Sequence, residues 1–426
     1  MPEPTRTGSR NEDADAVVVP AGTTGSALAV VRSLGRHGVR VVVAATEPRH
    51  PTFASRYCGE SHIVPDPRED VSGYGDALLE LARRPNVRTV VPLTEADAHV
   101  LSTRRDEFAE HVGTPWPGRE RMTLAQDRCR LFERTAAAGV PMPDTSLVGD
   151  FDAWDDRYVV KPRYTVVVED GRTRRLDAAV FEGGTEPSVD AFVAEMGHEP
   201  IAQRYVPSDG EFGFFALYDR GRPVRTFQHR RVRSYSYAGG ASVYRESYRD
   251  PELARAGRRV LDALEWHGPA MVEFRRDARD GTYRLLEVNP RFWGSIPLAV
   301  AAGVDFPRAY WLLATDEPNG GVGPVAVDSE PPGATDGGVA TDEYDAGVGC
   351  HALLGEGSYL LSVARDRYPH ATPPSLARAS VAVLVSLVAA PNFDVLSLSD
   401  PRPFAQLLER TARVVLPGDD RDGRSR

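Results

Sequence analysis

The stretch from Met271 to Arg291 constrains this chain more than any other. Met271-Val-Glu-Phe-Arg-Arg-Asp277 and Thr282-Tyr-Arg-Leu-Leu-Glu-Val-Asn289 are strand-like runs on either side of an Asp280-Gly281 turn, which is a β-hairpin signal. With the loop centred on Asp280, Glu273 faces Glu287, and Asn289, two residues further on, shares their face. Two carboxylates opposed on one face repel unless a cation lies between them. Two carboxylates and an amide oxygen are hard ligands of the kind that hold Mg²⁺. The apolar neighbours Val272, Phe274, Leu286 and Val288 argue against a merely solvated pair. The hairpin reads as a metal site carried on a sheet.

Lys161 is the only lysine among 51 basic residues. A compositional bias explains arginine elsewhere, but a position that keeps lysine is one that needs a compact ammonium. It ends the run Tyr158-Val-Val-Lys161-Pro162, where it can meet a phosphate oxygen as a point charge. The formal net charge of −10 argues against coating DNA or RNA, which takes a basic footprint. It leaves room for one local cationic pocket. Cys58, Cys129 and Cys350 are odd in number and far apart, so neither a disulfide framework nor a zinc site is indicated. Met1 to Asp15 has no apolar h-region, and the longest apolar run, Ala379 to Ala390, falls short of the roughly 20 residues of a membrane span. The expectation is a cytoplasmic protein with no membrane span and no nucleic acid polymer as partner.

Residues 1–15 and 417–426 read as disordered tails. Ala16-Val-Val-Val-Pro20, the turn Ala21-Gly-Thr-Thr-Gly25, a helical stretch from Ser26 to His37 and a strand from Val39 to Ala45 make a β-turn-α-β unit, hence a parallel sheet. The glycine turn lacks the third glycine of a dinucleotide fingerprint. Thr94 and Glu95 follow a strand from Val87 to Leu93, where parallel sheets bind ligands; they are equally good helix-capping material. This first domain, residues 16–113, ends at Thr114-Pro-Trp-Pro-Gly118. Thr123 to Ala138 reads as one helix. Short strands, turns and two further helices then give residues 114–318 an α+β pattern. Residues 319–347 are an acidic Gly/Pro-rich linker, since Asp316 to Gly347 holds eight acidic residues and no Lys or Arg. Residues 348–416 are helices with stripes too apolar to stay solvated. They are expected to dock on the body of the chain or on a second subunit, as in a homo-oligomer.

In order along the chain, Arg128, Lys161-Pro162, Gln203-x-Tyr-Val-Pro, Glu211, Glu273 and Glu287-Val-Asn289-Pro-Arg291 resemble the ATP-grasp superfamily. The resemblance covers roughly residues 16 to 318. Glu287-Val-Asn-Pro-Arg-Phe-Trp-Gly-Ser295, followed by Ala301-Ala-Gly-Val-Asp305, is similar to the carboxylate–amine ligase (ATP-dependent carboligase) branch. It implies an α/β and α+β fold: a Rossmann-like domain, an ATP-grasp domain of two α+β subdomains clamping ATP, and a helical C-terminal extension. It also implies roles. Lys161 and Arg128 would grip the ATP phosphates, with Lys161 also acting in catalysis. Gln203, Arg204 and Val206 would hold adenine, and Glu211 the ribose. Glu273, Glu287 and Asn289 would bind Mg²⁺ or Mn²⁺, and Arg291 would stabilise the transferring phosphoryl group.

Other residues are read directly. In the basic strand Gln228-His-Arg-Arg-Val-Arg233, Arg231 and Arg233 share a face. They suit a substrate carboxylate or its acyl phosphate, with Arg233 as a catalytic group and Gly240 in the glycine turn that follows. Trp293 and Ser295 can wall an acceptor pocket, although Trp293 also suits a core. One departure from the family stands out. Many relatives carry a glycine-rich lid after the lysine-proline pair, but here Arg163-Tyr-Thr-Val-Val-Val-Glu169 follows, with its first glycine at Gly171. A β-branched run is less able to wrap backbone amides around phosphate. The expected activity is ADP-forming ligation of a small-molecule carboxylate to an amine through an acyl phosphate. The alternative is a nucleotide-binding regulatory or scaffold protein with little turnover. A nicotinamide oxidoreductase would need the complete fingerprint.

Overall fold

The computed structural model describes residues 14–174, 176–184, 186, 188–315, 343–368 and 371–415. Most of the acidic linker, residues 1–13 of the first tail and all of the last tail lie outside these residues. Strands β1 (Ala16–Pro20), β2 (Arg40–Ala45), β3 (Glu60–Ile63) and β4 (Val87–Val90) form a parallel sheet in the order β3-β2-β1-β4. β1 is buried at every residue and β2 at all but its first. That is why both read as unbroken apolar runs: a strand covered on both faces shows no alternation. Helices α1 (Thr24–Arg36), α2 (Val71–Ala82), α3 (Glu95–Thr103) and α4 (Arg105–Ala109) complete this domain.

The single helix expected from Thr123 to Ala138 is two, α5 (Arg119–Gln126) and α6 (Arg128–Ala137). Asp127 between them is extended and caps α6 by accepting from the Cys129 amide. Two hydrogen bonds from Arg163, at 3.0 and 2.8 Å, hold its carboxylate. The break matters because it sets Arg128 at the first position of α6.

A small antiparallel sheet follows. Its strands are β5 (Thr145–Leu147) and β6 (Tyr158–Lys161), then, beyond the separate hairpin of β7 (Val167–Glu169) and β8 (Arg172–Arg174), β9 (Ala179–Phe181) and β10 (Ile201–Arg204). The order is β5-β10-β6-β9, and α7 (Val189–Met196) precedes β10. The large antiparallel sheet consists of β11 (Ser208–Asp219), β12 (Arg222–Ser236), β13 (Gly239–Ser247), β14 (Gly268–Asp277), β15 (Tyr283–Asn289) and β16 (Gly349–His351), in the order β15-β14-β11-β12-β13-β16. α8 (Pro251–Ala263) joins β13 to β14. After β15, α9 (Ile296–Ala301) and α10 (Phe306–Thr315) return to the first domain, where Tyr310 donates to the Val90 carbonyl at 2.7 Å.

The C-terminal extension holds α11 (Leu353–Arg365), α12 (Leu376–Ala389) and α13 (Arg402–Val415). It is not purely helical, because its β16 pairs with β13 as the edge strand of the large sheet. The extension docks on the body through buried charge. Asp394 pairs with Arg245 of β13, and Asp400 takes Arg32 Nε at 3.0 Å and the Ser55 hydroxyl at 2.7 Å. One short segment therefore ties the large sheet to the first domain. Among the described residues no helix is long and apolar enough to cross a membrane.

Candidate active site

The hairpin register places Glu273 opposite Glu287 and Met271 opposite Asn289. Nearer the turn the pairing slips by one residue, so that Phe274 faces Leu285. The bulge is essential: without it Glu273 would oppose Leu286, and Glu287 would lie on the other face. Asn289 Nδ2 donates to Glu287 Oε1 at 3.1 Å and to Glu273 Oε1 at 3.4 Å. The amide nitrogen thus stands between the carboxylates, and ligation of a metal through Asn289 Oδ1 requires the amide to turn over. Glu287 Oε2 accepts from Arg128 Nη2 at 2.7 Å.

Burial, and then the adjacent Glu287, push the Glu273 carboxyl well above the usual range. Burial acts the same way on Glu287, but Arg128 and Lys161 outweigh it and hold that carboxylate low. The pair therefore resists carrying two negative charges without a cation between them. Lys161, at the end of β6, is drawn down to about 8 by burial and by Arg128. Arg128 also donates to the Pro162 carbonyl at 2.6 Å. Its Nε is buried without a partner among the described residues.

Arg291 spans the domains: its Nε lies 2.6 Å from Glu95 Oε1, and its Nη2 lies 3.3 Å from Asn289 Oδ1. Among the described residues Glu95 Oε2 is buried and unpartnered, as are Ser295 Oγ and Trp293 Nε1. Trp293 is nonetheless a core residue, packed against Phe215 and Phe306. Thr94 differs from the substrate contact expected of it. It closes a capping box with Asp97 at the start of α3, and its methyl group fills the space beside Gly22.

Arg231 belongs to the site. It pairs with Glu211, lies 3.7 Å from Glu273 Oε2 and donates to the Gly240 carbonyl at 3.1 Å. Glu211 also accepts from Arg275 at 2.5 Å, so both its oxygens are engaged by guanidinium groups rather than left open for a ribose. Arg233 corrects the expectation of a catalytic arginine. A register slip between Arg231 and Arg233 sets Arg231 opposite Arg245 but Arg233 opposite Tyr244, so the two arginines do not share a face. Arg233 is bound by Glu356 at 2.8 and 3.0 Å, reaches Ser386 and lies over the Tyr244 ring. It anchors the C-terminal extension.

Gln203 and Arg204 sit in β10, which is paired on both sides, so much of their backbone is used within the sheet. Gln203 Nε2 donates to Thr145 Oγ1 at 3.0 Å, and the Arg204 side chain pairs with Asp156. Arg204, Tyr205 and Val206 line an open cavity of about 440 Å³ with Met142, Pro143 and Arg284. None of Arg128, Lys161, Glu273, Glu287, Asn289 and Arg291, the residues expected to meet phosphate or metal, borders that cavity.

The glycine turn before α1 is filled by protein. A side chain at Gly22 would strike Thr94, and one at Gly25 would come within 3.1 Å of Asp394 Cβ. Close packing, rather than a dinucleotide phosphate, accounts for these glycines. Arg275 was not foreseen as part of the site, although it lies two residues from Glu273 on the same strand and the alternation that marks Glu273 marks it too. Asp127, which positions Arg163, and Asp394, which holds Arg245, carry no local signal at all.

A family model described as ATP-grasp in the biosynthetic pathway with Ter operon matches residues 216–330. The fold is similar to that of the Rhizobium etli pyruvate carboxylase, with TM-score 0.55 and 17% identity over 71% of this chain. The chain spans 27% of that much longer protein. The biotin carboxylase domain of the Hydrogenobacter thermophilus 2-oxoglutarate carboxylase, solved with MgADP, gives TM-score 0.55 and 16% identity, covering 71% of this chain and 70% of that one. Campylobacter jejuni biotin carboxylase gives TM-score 0.54 and 15% identity, covering 71% and 72%. No curated protein sequence matches the chain significantly. Residues 216–330 are thus similar to an ATP-grasp family, within a chain whose fold is similar to those of these carboxylases.

Proposed function

We propose that the protein is an ATP- and Mg²⁺-dependent ligase that activates a small-molecule carboxylate as an acyl phosphate and joins it to an amine. The observation that carries this reading is the convergence of Lys161, Arg128, Glu287, Asn289, Glu273 and Arg291 in one charge cluster. A divalent cation fits the donor set, because two facing, half-buried carboxylates and an amide supply hard oxygens, and the Glu273–Glu287 pair resists carrying both negative charges even with Arg128 and Arg231 beside it. Glu273, Glu287 and Asn289 would hold Mg²⁺ or Mn²⁺. When bound, Mg·ATP supplies the γ-phosphoryl group, with the metal screening its charge.

The chain's own groups position and neutralise. Lys161 and the unpartnered Nε–H of Arg128 are suited to phosphate oxygens. The substrate carboxylate oxygen forms a bond to the γ-phosphorus while the bond to the β-phosphate oxygen breaks and ADP leaves. Arg291 is placed to stabilise the charge on the phosphoryl group in flight. The amine nitrogen then bonds to the acyl carbon, phosphate departs and the amine loses a proton. Arg231, Glu95 and Ser295 frame the side facing the first domain, where the acid and amine would lie. The reading also carries a cytoplasmic location and the adenine hinge at Gln203, Arg204 and Val206.

ADP release measured over pools of acids and amines tests the proposal. Lys161→Ala and Glu287→Ala should abolish it in folded protein, and normal turnover in both would overturn it. The second reading, a nucleotide-binding scaffold, is favoured by the glycine-poor segment after Pro162. Its β7–β8 hairpin is held by the first domain, with the Gly171 carbonyl 2.9 Å from the Val71 amide and the Thr173 amide 3.1 Å from the Pro67 carbonyl. Tight Mg·ATP binding without ADP from any pool would favour it.

A further inference from the structure

A single row of side chains crosses the large sheet from the metal hairpin to the C-terminal extension. Arg275 of β14 pairs with Glu211 of β11, Glu211 with Arg231 of β12, Arg231 with Arg245 of β13, and Arg245 with Cys350 of β16. Directly opposed residues share a face, so the row lies on the side that carries Glu273, two residues from Arg275 in the same register. Its charges run plus, minus, plus, plus. Glu211 balances both its neighbours by accepting from Arg275 and Arg231. Arg245 is the exception. It is only 2% exposed and stands opposite a second guanidinium, an arrangement that repels.

Asp394 of the C-terminal extension supplies the missing charge. One of its oxygens accepts from Arg245 Nη2 and from the Cys350 thiol, the latter at 3.3 Å. Its amide donates to the His351 carbonyl at 3.0 Å, and Gly25 of the first domain backs its Cβ. Among the described residues Arg245 has no other carboxylate; its remaining bond runs from Nη1 to the Ser242 carbonyl at 3.4 Å. Both arginines act on the His229 ring, which burial, and then Arg231 and Arg245, hold well below its ordinary pKa. A neutral ring beside the two guanidinium groups cannot take over the balance that Asp394 provides.

We propose that Asp394 is a positioning residue for the metal site: by holding Arg245 at the edge of the sheet, it leaves Arg231 to Glu211 and Glu273. The inference rests on the reading of Glu273, Glu287 and Asn289 as metal ligands. Arg231 Nη2 lies 3.7 Å from Glu273 Oε2. Without the Asp394 charge, Arg245 is buried and unbalanced, and Glu211 is already shared between two guanidinium groups. The excess positive charge then bears on Arg231 and, through it, on Glu273, where a cation has to bind. Divalent binding weakens as a result. The C-terminal extension is thereby a working part of the site.

Titration of ADP at a series of Mg²⁺ concentrations tests this in the full chain. Asp394→Asn should raise the Mg²⁺ needed for half-maximal ADP binding by at least about fivefold. Asp394→Asn combined with Arg245→Met removes both charges and should return it to within about twofold of wild type. Arg245→Met alone should lower the requirement below wild type, a change of sign that a merely structural role would not produce and that can be read even if Asp394→Asn fails to fold. Asp400→Asn is the control, because it breaks the other anchor of the same segment, to Arg32 and Ser55. It should lower the melting temperature and leave the Mg²⁺ requirement unchanged. A requirement that is equal in wild type, Asp394→Asn and Arg245→Met, or one raised as much by Asp400→Asn, would overturn this inference alone. Wild-type ADP binding that ignores Mg²⁺ would overturn the reading of the metal ligands and the inference with it.

Discussion

Arg291 Nε sits 2.6 Å from Glu95 Oε1, joining the segment just beyond β15, the strand of Glu287 and Asn289, to the first turn of the helix after β4 in another domain. Burial acts to lower the Arg291 pKa, but Glu95 outweighs it and holds the pKa above its ordinary value. Glu95 also has a second oxygen buried without a partner among the described residues. It is a positioning residue for Arg291 in the proposed reaction. Glu95→Gln should keep ADP affinity within about twofold while slowing ADP-forming turnover by at least about tenfold, or ~1.4 kcal/mol in the barrier. Titration of ADP alongside steady-state assay separates the two effects, and unchanged turnover would contradict the role.

The sole lysine offers a second test. Lys161→Arg keeps the charge but replaces a compact ammonium with a planar fork beside Arg128, Glu287 and Glu273. Turnover should fall at least about tenfold, with the fold intact by circular dichroism. Wild-type activity in this variant would show that the missing lysines elsewhere are compositional and that Lys161 is no exception.

Arg233 should behave differently from Arg231. Arg233→Met leaves Glu356, itself only 3% exposed, beside His351 with no arginine partner. Breaking such a buried pair costs about 3 kcal/mol, so the melting temperature should drop by several degrees while ADP affinity stays unchanged. Arg231→Met, beside Glu273 and Glu211, should impair turnover. Equal melting temperatures for wild type and Arg233→Met would remove the anchoring role.

How far the residues disclosed this arrangement varied with the kind of signal. Period-two alternation and an Asp-Gly turn were enough to pair Glu273 with Glu287, although the loop centre was misplaced and a bulge made up the difference. The valine runs of β1 and β2 gave a parallel sheet because full burial leaves its own mark. Arg233 was misread because strand alternation carries no sign of a bulge, and the slip against β13 turned that residue away from Arg231. The break at Asp127 was hidden for another reason: it depends on Arg163, which is remote in sequence and close only in the fold. Thr94 was readable as a cap or as a ligand contact, and the capping box decided it.

Acid sensitivity is expected at the junction of the first domain with α13. Burial, and then Arg410, pull His50 from an ordinary 6.5 to about 4, and its Nδ1 accepts from the Thr52 amide, which requires a neutral ring. Because the folded pKa lies below the unfolded one, the unfolded chain binds more protons between these values. The contribution is full above pH 6.5 and is lost as pH falls toward 4, amounting to about 2 kcal/mol by pH 5. Denaturant melts at pH 7 and pH 5 should show this loss in wild type and a smaller one in His50→Gln. Identical pH dependence in both would contradict it.

The proposed nucleotide site is tested most directly by calorimetric titration of ADP with and without Mg²⁺, in the wild type and in Glu287→Gln. The expected result is binding that strengthens at least about tenfold with Mg²⁺ in the wild type, a gain that Glu287→Gln abolishes. Wild-type protein that binds no ADP, or a Mg²⁺ dependence that survives Glu287→Gln, would contradict the account.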